Sequence, residues 1–280
     1  MKKIIIVVCA LLLGGCSANF AYNNASWLVY WYLDDYIELN NEQEDTFDTM
    51  LEGWMIWHRQ EELPQYQRQI EDIIGDISSN NINEQTINAH RERARQHWVR
   101  IRSYVAPDLV SLGATLSQDQ IVYLFASLEK ENKEDEDKLN ETSELDEQEQ
   151  IKKWTKRNQN GIKKWLGKLS NKQKEFIASF YDKFEPTGQH WIEYKRNYQQ
   201  QLREVFARAQ RDEMFRQELH KLIVEPEKFR SQTFQTAMDL NAQASSQYMT
   251  GLAALMSDKQ LKNVIEEINE FKQDIIKLRN

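Results

Sequence analysis

Glycine and proline are scarce along this chain, with nine glycines and four prolines among 280 residues. An average globular protein contains roughly 12% of these two residue types. Folds built from many short strands need turn residues about every 8–12 positions, and dinucleotide-binding folds need glycine-rich loops. Hydrophobic residues at 40% and charged residues at 29% also argue against a disordered chain. The composition therefore favours long helices.

Apolar residues recur at steps of three and four along most of the chain, which is typical of amphipathic helices. We predict helices over residues 24–38, 42–78, 84–104, 117–140, 144–167, 171–184, 188–210, 213–223, 229–254 and 258–278. Pro64 should end or kink the second helix, and Pro107, Pro186 and Pro226 should lie in connections. The expected fold class is all-α, an elongated bundle of long antiparallel helices and helical hairpins.

The first sixteen residues have the pattern of an export signal. Lys2 and Lys3 precede an apolar run over residues 4–13, which is followed by two glycines and Cys16. This order of charged, apolar and small residues is typical of a secretory signal peptide. The apolar run is too short to cross a bilayer, which requires about 20 residues. An ordinary secreted protein with an incidental Cys16 is the alternative.

The segment Leu13-Gly14-Gly15-Cys16 resembles the lipobox of bacterial lipoproteins. The resemblance implies that residues 1–15 are a signal peptide, that the chain is cut before Cys16, and that Cys16 carries lipid. Ser17 in the next position implies the outer membrane, on its periplasmic face. We expect residues 16–280 to form a single helical domain. Cleavage and lipidation would leave no free thiol and no disulfide, because Cys9 leaves with the signal.

The formal net charge of −8 argues against nucleic acid as a partner, because nucleic-acid binding requires a basic surface. The expected partners are the membrane, through the lipid anchor, and envelope proteins or peptidoglycan.

Four short segments share a pattern in which Ser or Asn is followed three residues later by Gln. They are Leu39–Gln43, Leu116–Gln120, Leu169–Gln173 and Met256–Gln260. Such residues form a capping box, in which the two side chains bond each other's backbone N–H at a helix start. The segments also resemble the Leu-Thr-x-x-Gln motif of Spy-type and CpxP-type periplasmic proteins. That resemblance would imply a distant kinship with helical chaperones.

A second resemblance covers more of the chain. It rests on the segments 22–24 (Tyr-Asn-Asn) and 27–36 (Trp-Leu-Val-Tyr-Trp-Tyr-Leu-Asp-Asp-Tyr), followed by Trp57-His58 and Leu63-Pro64. These segments resemble an uncharacterised lipoprotein family of Gram-negative bacteria. That family has no established activity, so the resemblance supports a cellular location and a fold and does not indicate a function.

Tryptophans and acids share helix faces near the amino terminus. Helical spacing places two sets on one face each, Trp27, Trp31, Asp34 and Glu38 in the first helix, and Trp54, Trp57 and His58 in the next. Together they could line an aromatic–acidic pocket that binds peptidoglycan or another glycan. The alternative is that the tryptophans pack in the core while the acids pair with arginines.

Catalytic and metal-binding patterns are not found in the sequence. It contains no His-Glu-x-x-His motif, no Gly-x-Ser-x-Gly elbow and no phosphate-binding glycine loop. It also lacks the Glu-Ser dipeptide that would support a lytic transglycosylase. We therefore expect no enzyme activity, no cofactor and no metal.

The middle of the chain separates its charges into two blocks. Residues 129–150 contain eleven acids and three lysines, whereas residues 151–174 contain nine basic residues and no acid. If the chain turns near Thr142, the two arms should form a hairpin in which acids 129, 131 and 134 face Lys152, Lys153 and Lys156. The remaining cations form a strip that could bind anionic ligands such as lipid A phosphates or peptidoglycan carboxylates: Lys163, Lys164, Lys168 and Lys172. A solvated helix face is the alternative.

These features together predict an outer-membrane-anchored, periplasmic helical lipoprotein that acts through contacts. An interaction protein or a chaperone-like protein is the first expectation. A peptidoglycan- or glycan-binding protein that uses the aromatic–acidic pocket is the alternative.

Overall fold

The computed structural model describes Tyr22 and residues 24–279, and within them every regular element is a helix. The all-α prediction is confirmed. The predicted signal peptide over residues 1–15 and the predicted lipidation site Cys16 lie outside the described residues. Among the described helices, none is both long enough and apolar enough to cross a membrane.

The helices follow the predicted order closely. The first half forms α1 (Ala25–Leu33), α2 (Asn41–Trp57), α3 (Leu63–Ser78), α4 (Glu84–Ala114) and α5 (Gln118–Ser143). The second half forms α6 (Glu147–Leu166), α7 (Asn171–Ala178), α8 (Gly188–Phe206), α9 (Glu213–Val224), α10 (Gln232–Ala254) and α11 (Asp258–Arg279). Short 3₁₀ segments, Tyr181–Lys183 and Pro226–Phe229, lie before α8 and α10.

Two prolines behave differently from each other. The interruption predicted near Pro64 is present, because a π-helical turn over His58–Glu62 separates α2 from α3. The prediction that Pro107 lies in a connection is wrong, since Pro107 lies inside α4. An interior proline costs a helix about 3 kcal/mol. Its neighbours Ala106 and Val110 are buried, and this packing keeps the chain helical through Pro107.

The four Ser/Asn–Gln segments all cap helices, as the sequence predicts. The side chains of Asn40, Ser117, Ser170 and Ser257 each accept a hydrogen bond from the backbone N–H three residues later. The matching glutamines accept from the N-cap backbone N–H in return. Each motif therefore satisfies two N–H groups that a helix start leaves without partners. The kinship with Spy-type proteins stays a prediction.

The cap glutamines also join distant segments in pairs. Gln43 and Gln120 exchange side-chain hydrogen bonds of 3.2 and 2.6 Å, and Gln173 and Gln260 exchange bonds of 2.9 and 3.1 Å. In each pair, the side-chain amide nitrogen of each glutamine also donates to a backbone carbonyl. That carbonyl belongs to the residue two positions before the N-cap of the partner glutamine's helix. These carbonyls belong to Thr115, Glu38, Leu255 and Lys168. The same two-fold arrangement thus occurs twice and clamps α2 to α5 and α7 to α11.

Among the residues that the structure describes, the buried apolar side chains form four clusters. One surrounds Val110, Phe206 and Phe215, where α4, α5, α8 and α9 meet. A second joins α6, α7 and α10 around Ile177 and Tyr248. The other two clusters join α3 to α11 and α2 to α4. Helix α4 is the longest of the described helices, with 31 residues or about 46 Å, and its carboxyl-terminal part contributes Val110 to the first cluster and Leu112 to the last.

The predicted charge pairing between the two central arms is wrong. Arg196 of α8 pairs with Glu129 at 3.0 Å and with Glu136 at 2.7 Å, and Lys195 of α8 pairs with Asp135. The buried amides of Asn132 and Gln199 also bond each other across the same two helices. Helix α5 therefore packs on α8, while α6 packs on α7 and α11. Burial of α5 against α8 outweighs the weak attraction between exposed charges.

Gly251 permits a close approach between α7 and α10. A Cβ atom at this position would lie 2.4 Å from Cζ of Phe176. The Phe176 ring packs against Phe180 and Tyr248, so it has little room to move. We expect Gly251→Ala to lower the free energy of unfolding by about 1–3 kcal/mol through overpacking. Urea denaturation followed by circular dichroism measures this change.

Gly75 provides the matched control for this substitution. It also lies in a helix, but a Cβ atom there would meet nothing within 4 Å. Gly75→Ala should stabilise the protein by up to about 1 kcal/mol. A loss of stability at Gly75 equal to that at Gly251 would contradict the overpacking argument.

Candidate functional site

The amino-terminal aromatic helix exposes its first two tryptophans. Trp27 is 63% exposed and stacks on Trp31 with ring centroids 6.4 Å apart, whereas Val29 and Leu33 pack against the cluster beneath α1. Asp34 ends the helix and is exposed. The stacked tryptophans therefore lie on the outer surface of the protein.

The tryptophans and histidine of the next helix have partners of their own. The Trp54 indole N–H donates to Asp108 Oδ2 at 2.7 Å. The Trp57 ring stacks on the Tyr104 ring, with centroids 4.1 Å apart. Nδ1 of His58 lies 2.8 Å from the Tyr22 hydroxyl. These side chains hold α2 and the π-helical turn against α4 and Tyr22.

The two acids of the predicted pocket, Asp34 and Glu38, bond α5 through their backbone carbonyls. The Asp34 carbonyl accepts a hydrogen bond from the Tyr123 hydroxyl at 3.3 Å, and the Glu38 carbonyl accepts from Gln120 at 2.6 Å. Apart from the Trp27–Trp31 stack, these contacts join members of the predicted set to partners outside it. The structure therefore distributes the seven residues over several places.

An aromatic–acidic cleft is present on another side of α1, against α5. It has a volume of about 560 Å³ and is lined by Tyr32, Asp35, Tyr36, Tyr123, Ala126, Ser127, Lys130, Glu131, Glu134, Asp135 and Lys138. The Tyr36 hydroxyl donates to Glu131 at 3.0 Å. Burial, together with Tyr32 and Glu131, raises the pKa of Tyr36 and keeps its proton in place. Hydroxyl and carboxylate groups on both walls suit hydrogen bonding to a polar ligand.

A buried charged network lies beside the π-helical turn. Glu62 is fully buried, and its carboxylate accepts from Arg100 Nε at 2.5 Å. His97 Nδ1 lies 3.0 Å from the other Glu62 oxygen, and the ring packs edge-on against Tyr66 at 4.5 Å. The Arg100 guanidinium holds the pKa of Glu62 below its usual value despite burial. A π-helical turn often marks a functional position, but here the carboxylate is already satisfied.

The hydrogen bonds identify the tautomer of His97. Gln69 Nε2 donates to the His90 carbonyl at 2.8 Å, so its Oε1 faces His97 Nε2 at 2.7 Å as an acceptor. Nε2 therefore carries the proton, and Nδ1 accepts from Arg100 Nη2 at 2.6 Å. A neutral ring thus donates to Gln69 and accepts from Arg100, and its Nδ1 lies beside the Glu62 carboxylate without a hydrogen bond to it. Burial accordingly lowers the pKa of His97.

The buried histidines make the stability of the protein dependent on pH. Burial lowers the pKa values of both His58 and His97 below 6.5. As the pH falls through 6.5, the unfolded chain takes up protons at these two histidines more readily than the folded chain does, so unfolding becomes easier. We expect a lower urea midpoint at pH 5.5 than at pH 7.5. His97→Gln should reduce this difference, and an equal midpoint at both pH values would contradict the prediction.

Helix α6 carries the most concentrated charge without partners. Its basic residues form the cationic stripe, defined as Lys152, Lys153, Lys156, Arg157, Lys163 and Lys164, all of them exposed. At 100° per residue these six side chains fall within an arc of about 140°, and they extend over about 18 Å. Trp154, Ile162 and Leu166 on the opposite side pack in the cluster around Ile177. The helix is thus anchored on one side and positively charged on the other.

The predicted anionic-ligand strip continues this stripe. Lys163 and Lys164 lie in the last turn of α6, Lys168 follows it, and Lys172 lies in the first turn of α7. All four are exposed. Among the ion pairs of the described residues, none involves any of the nine basic residues between 151 and 174. The structure therefore leaves the strip open and extends it along α6.

Within the part of the chain that the structure describes, no group of three His, Cys, Asp or Glu side chains is placed to hold a metal ion. His90 Nε2 lies 2.9 Å from Asp76 Oδ2, for example, but two such groups are fewer than a metal site requires.

Residues 35–235 match the model of a family of unknown function, DUF6279. The chain belongs to this family. The match begins just after α1 and extends into α10, so it includes the cleft wall on α5, the Glu62 network and the cationic stripe. No curated protein and no solved structure matches the chain. The match agrees with the prediction of an uncharacterised family, while the lipoprotein resemblance stays a prediction.

Sequence reasoning missed two features of this DUF6279 member. The Glu62 network was not predicted, although His97 and Arg100 lie three residues apart on one face of α4 and could have suggested a shared acidic partner. The stripe was predicted only in part, because Lys152, Lys153 and Lys156 were assigned to ion pairs with α5.

Proposed function

We propose that this protein is a non-enzymatic, lipid-anchored envelope protein that binds an anionic partner through the cationic stripe of α6. The observation that carries the proposal is the set of exposed basic side chains without ion pairs. Lys152 and Lys156, like Lys153 and Arg157, are like-charged pairs four residues apart, which destabilise a helix. A local arrangement that opposes folding and is not compensated within the protein is typical of a functional surface.

The shape of the stripe indicates the kind of partner. Six cations in a row of about 18 Å suit a repeated or planar array of anions better than a single small ligand. Arrays of this kind are the phosphates of lipid A and the carboxylates of peptidoglycan. Salt screens such attraction beyond about 8 Å at physiological ionic strength, so the partner must lie directly on the helix.

Binding to the two anionic arrays can be measured side by side. The protein is incubated with purified peptidoglycan and, separately, with vesicles that contain lipid A. The test variant carries Lys152→Gln, Lys156→Gln and Lys163→Gln. Since each basic residue near an anionic surface contributes about 1 kcal/mol, losing three should weaken binding about a hundredfold.

The matched control changes the same amount of charge elsewhere. Lys133, Lys183 and Lys221 are also exposed and lie on three different elements. Their replacement by Gln should leave binding close to that of the unmodified protein. Equal losses in both triple variants, or no retention of the unmodified protein on either material, would overturn the proposal.

The lipid anchor of the proposal rests on the resemblance of Leu13–Cys16 to a lipobox. Metabolic labelling with palmitate should label the protein, and Cys16→Ala should abolish the label. Labelling that persists in this variant would overturn the anchor without affecting the cationic stripe.

A chaperone-like role is the more specific form of this proposal. Large apolar side chains that are exposed on four different helices support it: Trp98, Val122, Met214 and Met249. The lipid-free protein should then suppress aggregation of an unrelated unfolded protein at near-stoichiometric ratio. Unchanged aggregation would contradict the chaperone-like role and would leave the proposed binding to an anionic partner unaffected.

The cleft between α1 and α5 supports a second candidate, a site that binds peptidoglycan or another glycan. Its tyrosines offer rings and hydroxyls, and its acids offer acceptors for sugar hydroxyls. We expect Tyr123→Ala to weaken binding to peptidoglycan fragments. Tyr104→Ala is the control, because Tyr104 is about as exposed as Tyr123 but stacks on Trp57. Equal affinities of the two variants would show that the cleft is not the binding site.

A further inference from the structure

The stacked tryptophans of α1 have an exposure that folding alone does not explain. None of the nine residues of α1 is buried, although the helix contains no charged residue. Trp27 is 63% exposed and Trp31 is 39% exposed, and the two rings lie nearly parallel, 12° apart. Large apolar side chains that stack together on the surface commonly mark an interaction site.

The charge pattern around α1 is equally one-sided. No charged residue occurs between Cys16 and Asp34, a stretch of 17 residues. The first acids, Asp34 and Asp35, lie at the carboxyl end of α1. Charged groups resist transfer from water into lipid, whereas tryptophan prefers the boundary between the two. The amino-terminal part of α1 therefore has the composition of a segment that lies at a bilayer surface.

The distance to the proposed lipid places α1 near such a surface. Nine residue steps separate Cys16 from Ala25, where α1 begins. Even a fully extended chain of this length spans only about 30 Å. Lipid at Cys16 therefore keeps the tryptophan pair within one domain diameter of the bilayer.

We propose that Trp27 and Trp31 insert into the headgroup region of the phospholipid bilayer that holds the lipid at Cys16. This inference rests on the proposed lipid anchor. The anchor supplies attachment, and the tryptophan pair supplies a second contact that orients the domain relative to the membrane. A single point of attachment does not define an orientation, whereas two contacts joined by a short segment do.

The experiment uses the lipidated protein in phospholipid vesicles. Trp27→Cys and Trp31→Cys are each labelled with a fluorophore whose emission reports polarity and which dithionite reduces from the aqueous side. Once Cys16 carries lipid, the introduced cysteine is the only free thiol, because Cys9 leaves with the signal. Trp98→Cys on α4 and Phe271→Cys on α11 are the controls, as these side chains have similar exposure.

Flotation of the vesicles is measured first, because it tests the anchor separately. In floating protein, the labels at 27 and 31 should shift to shorter wavelength and resist dithionite, while the labels at 98 and 271 should do neither. Floating protein with identical behaviour at all four positions would overturn the insertion and leave the anchor standing. Protein that does not float would overturn the anchor and, with it, the insertion.

Discussion

Glu62→Ala is expected to lower the free energy of unfolding by about 3 kcal/mol, the lower end of the range for breaking a buried ion pair, because the Arg100 partner is only half-buried. The Glu62 side chain is fully buried between Arg100 and His97, and its two oxygens accept their hydrogen bonds. Removing the carboxylate leaves the Arg100 guanidinium without its charge partner. Urea denaturation at pH 7.5, followed by circular dichroism, measures the loss.

Asp72→Ala provides the control for an exposed pair. Asp72 bonds Arg93 at 2.6 Å, but both side chains are largely exposed. An exposed pair contributes at most about 1 kcal/mol, so this variant should remain close to the unmodified protein. Similar losses at Glu62 and Asp72 would show that burial does not determine the contribution of the Glu62 pair.

Gln173→Ala is expected to lower the free energy of unfolding by about 2–4 kcal/mol, because each buried group left without a hydrogen bond costs about 1–3 kcal/mol. Gln173 is fully buried. Its amide oxygen accepts from the Ser170 backbone N–H, and its amide nitrogen donates to the Leu255 carbonyl and to Gln260 Oε1. Thermal or urea unfolding monitors the variant.

Two further variants test whether the pair acts as a unit. Gln200→Ala removes an exposed glutamine whose side chain donates to Glu204 on the same helix, and should change stability by less than about 0.5 kcal/mol. Gln260→Ala combined with Gln173→Ala should cost less than the sum of the two single changes, because they share hydrogen bonds. Additive costs would show that the glutamines cap their own helices independently.

Features that depend on neighbours within four residues were predictable. The capping boxes at Asn40, Ser117, Ser170 and Ser257 form as expected, because a cap involves only the backbone next to it. The interruption before Pro64 follows from the same local reasoning. Pro107 is the exception, and there burial of Ala106 and Val110 outweighs the local preference.

Features that depend on which helices meet were not predictable. Helical spacing placed Trp31 and Trp54 each on a face, but it could not show that Trp31 is exposed while Trp54 bonds Asp108. The acid at 129 was expected to face Lys152, and it pairs with Arg196 instead. Exposed charges attract each other too weakly to choose a neighbour, so apolar burial decides.

The shortage of glycine and proline, the apolar spacing and the Ser/Asn–Gln caps determined that this chain is all-α and where most of its helices start. Each of these effects acts within a turn or two of helix. Only the tertiary structure decided that α5 packs on α8, that the cap glutamines join in two pairs, and that the charges of α6 face solvent. These outcomes depend on contacts between residues far apart in sequence, and local propensity carries no information about such contacts.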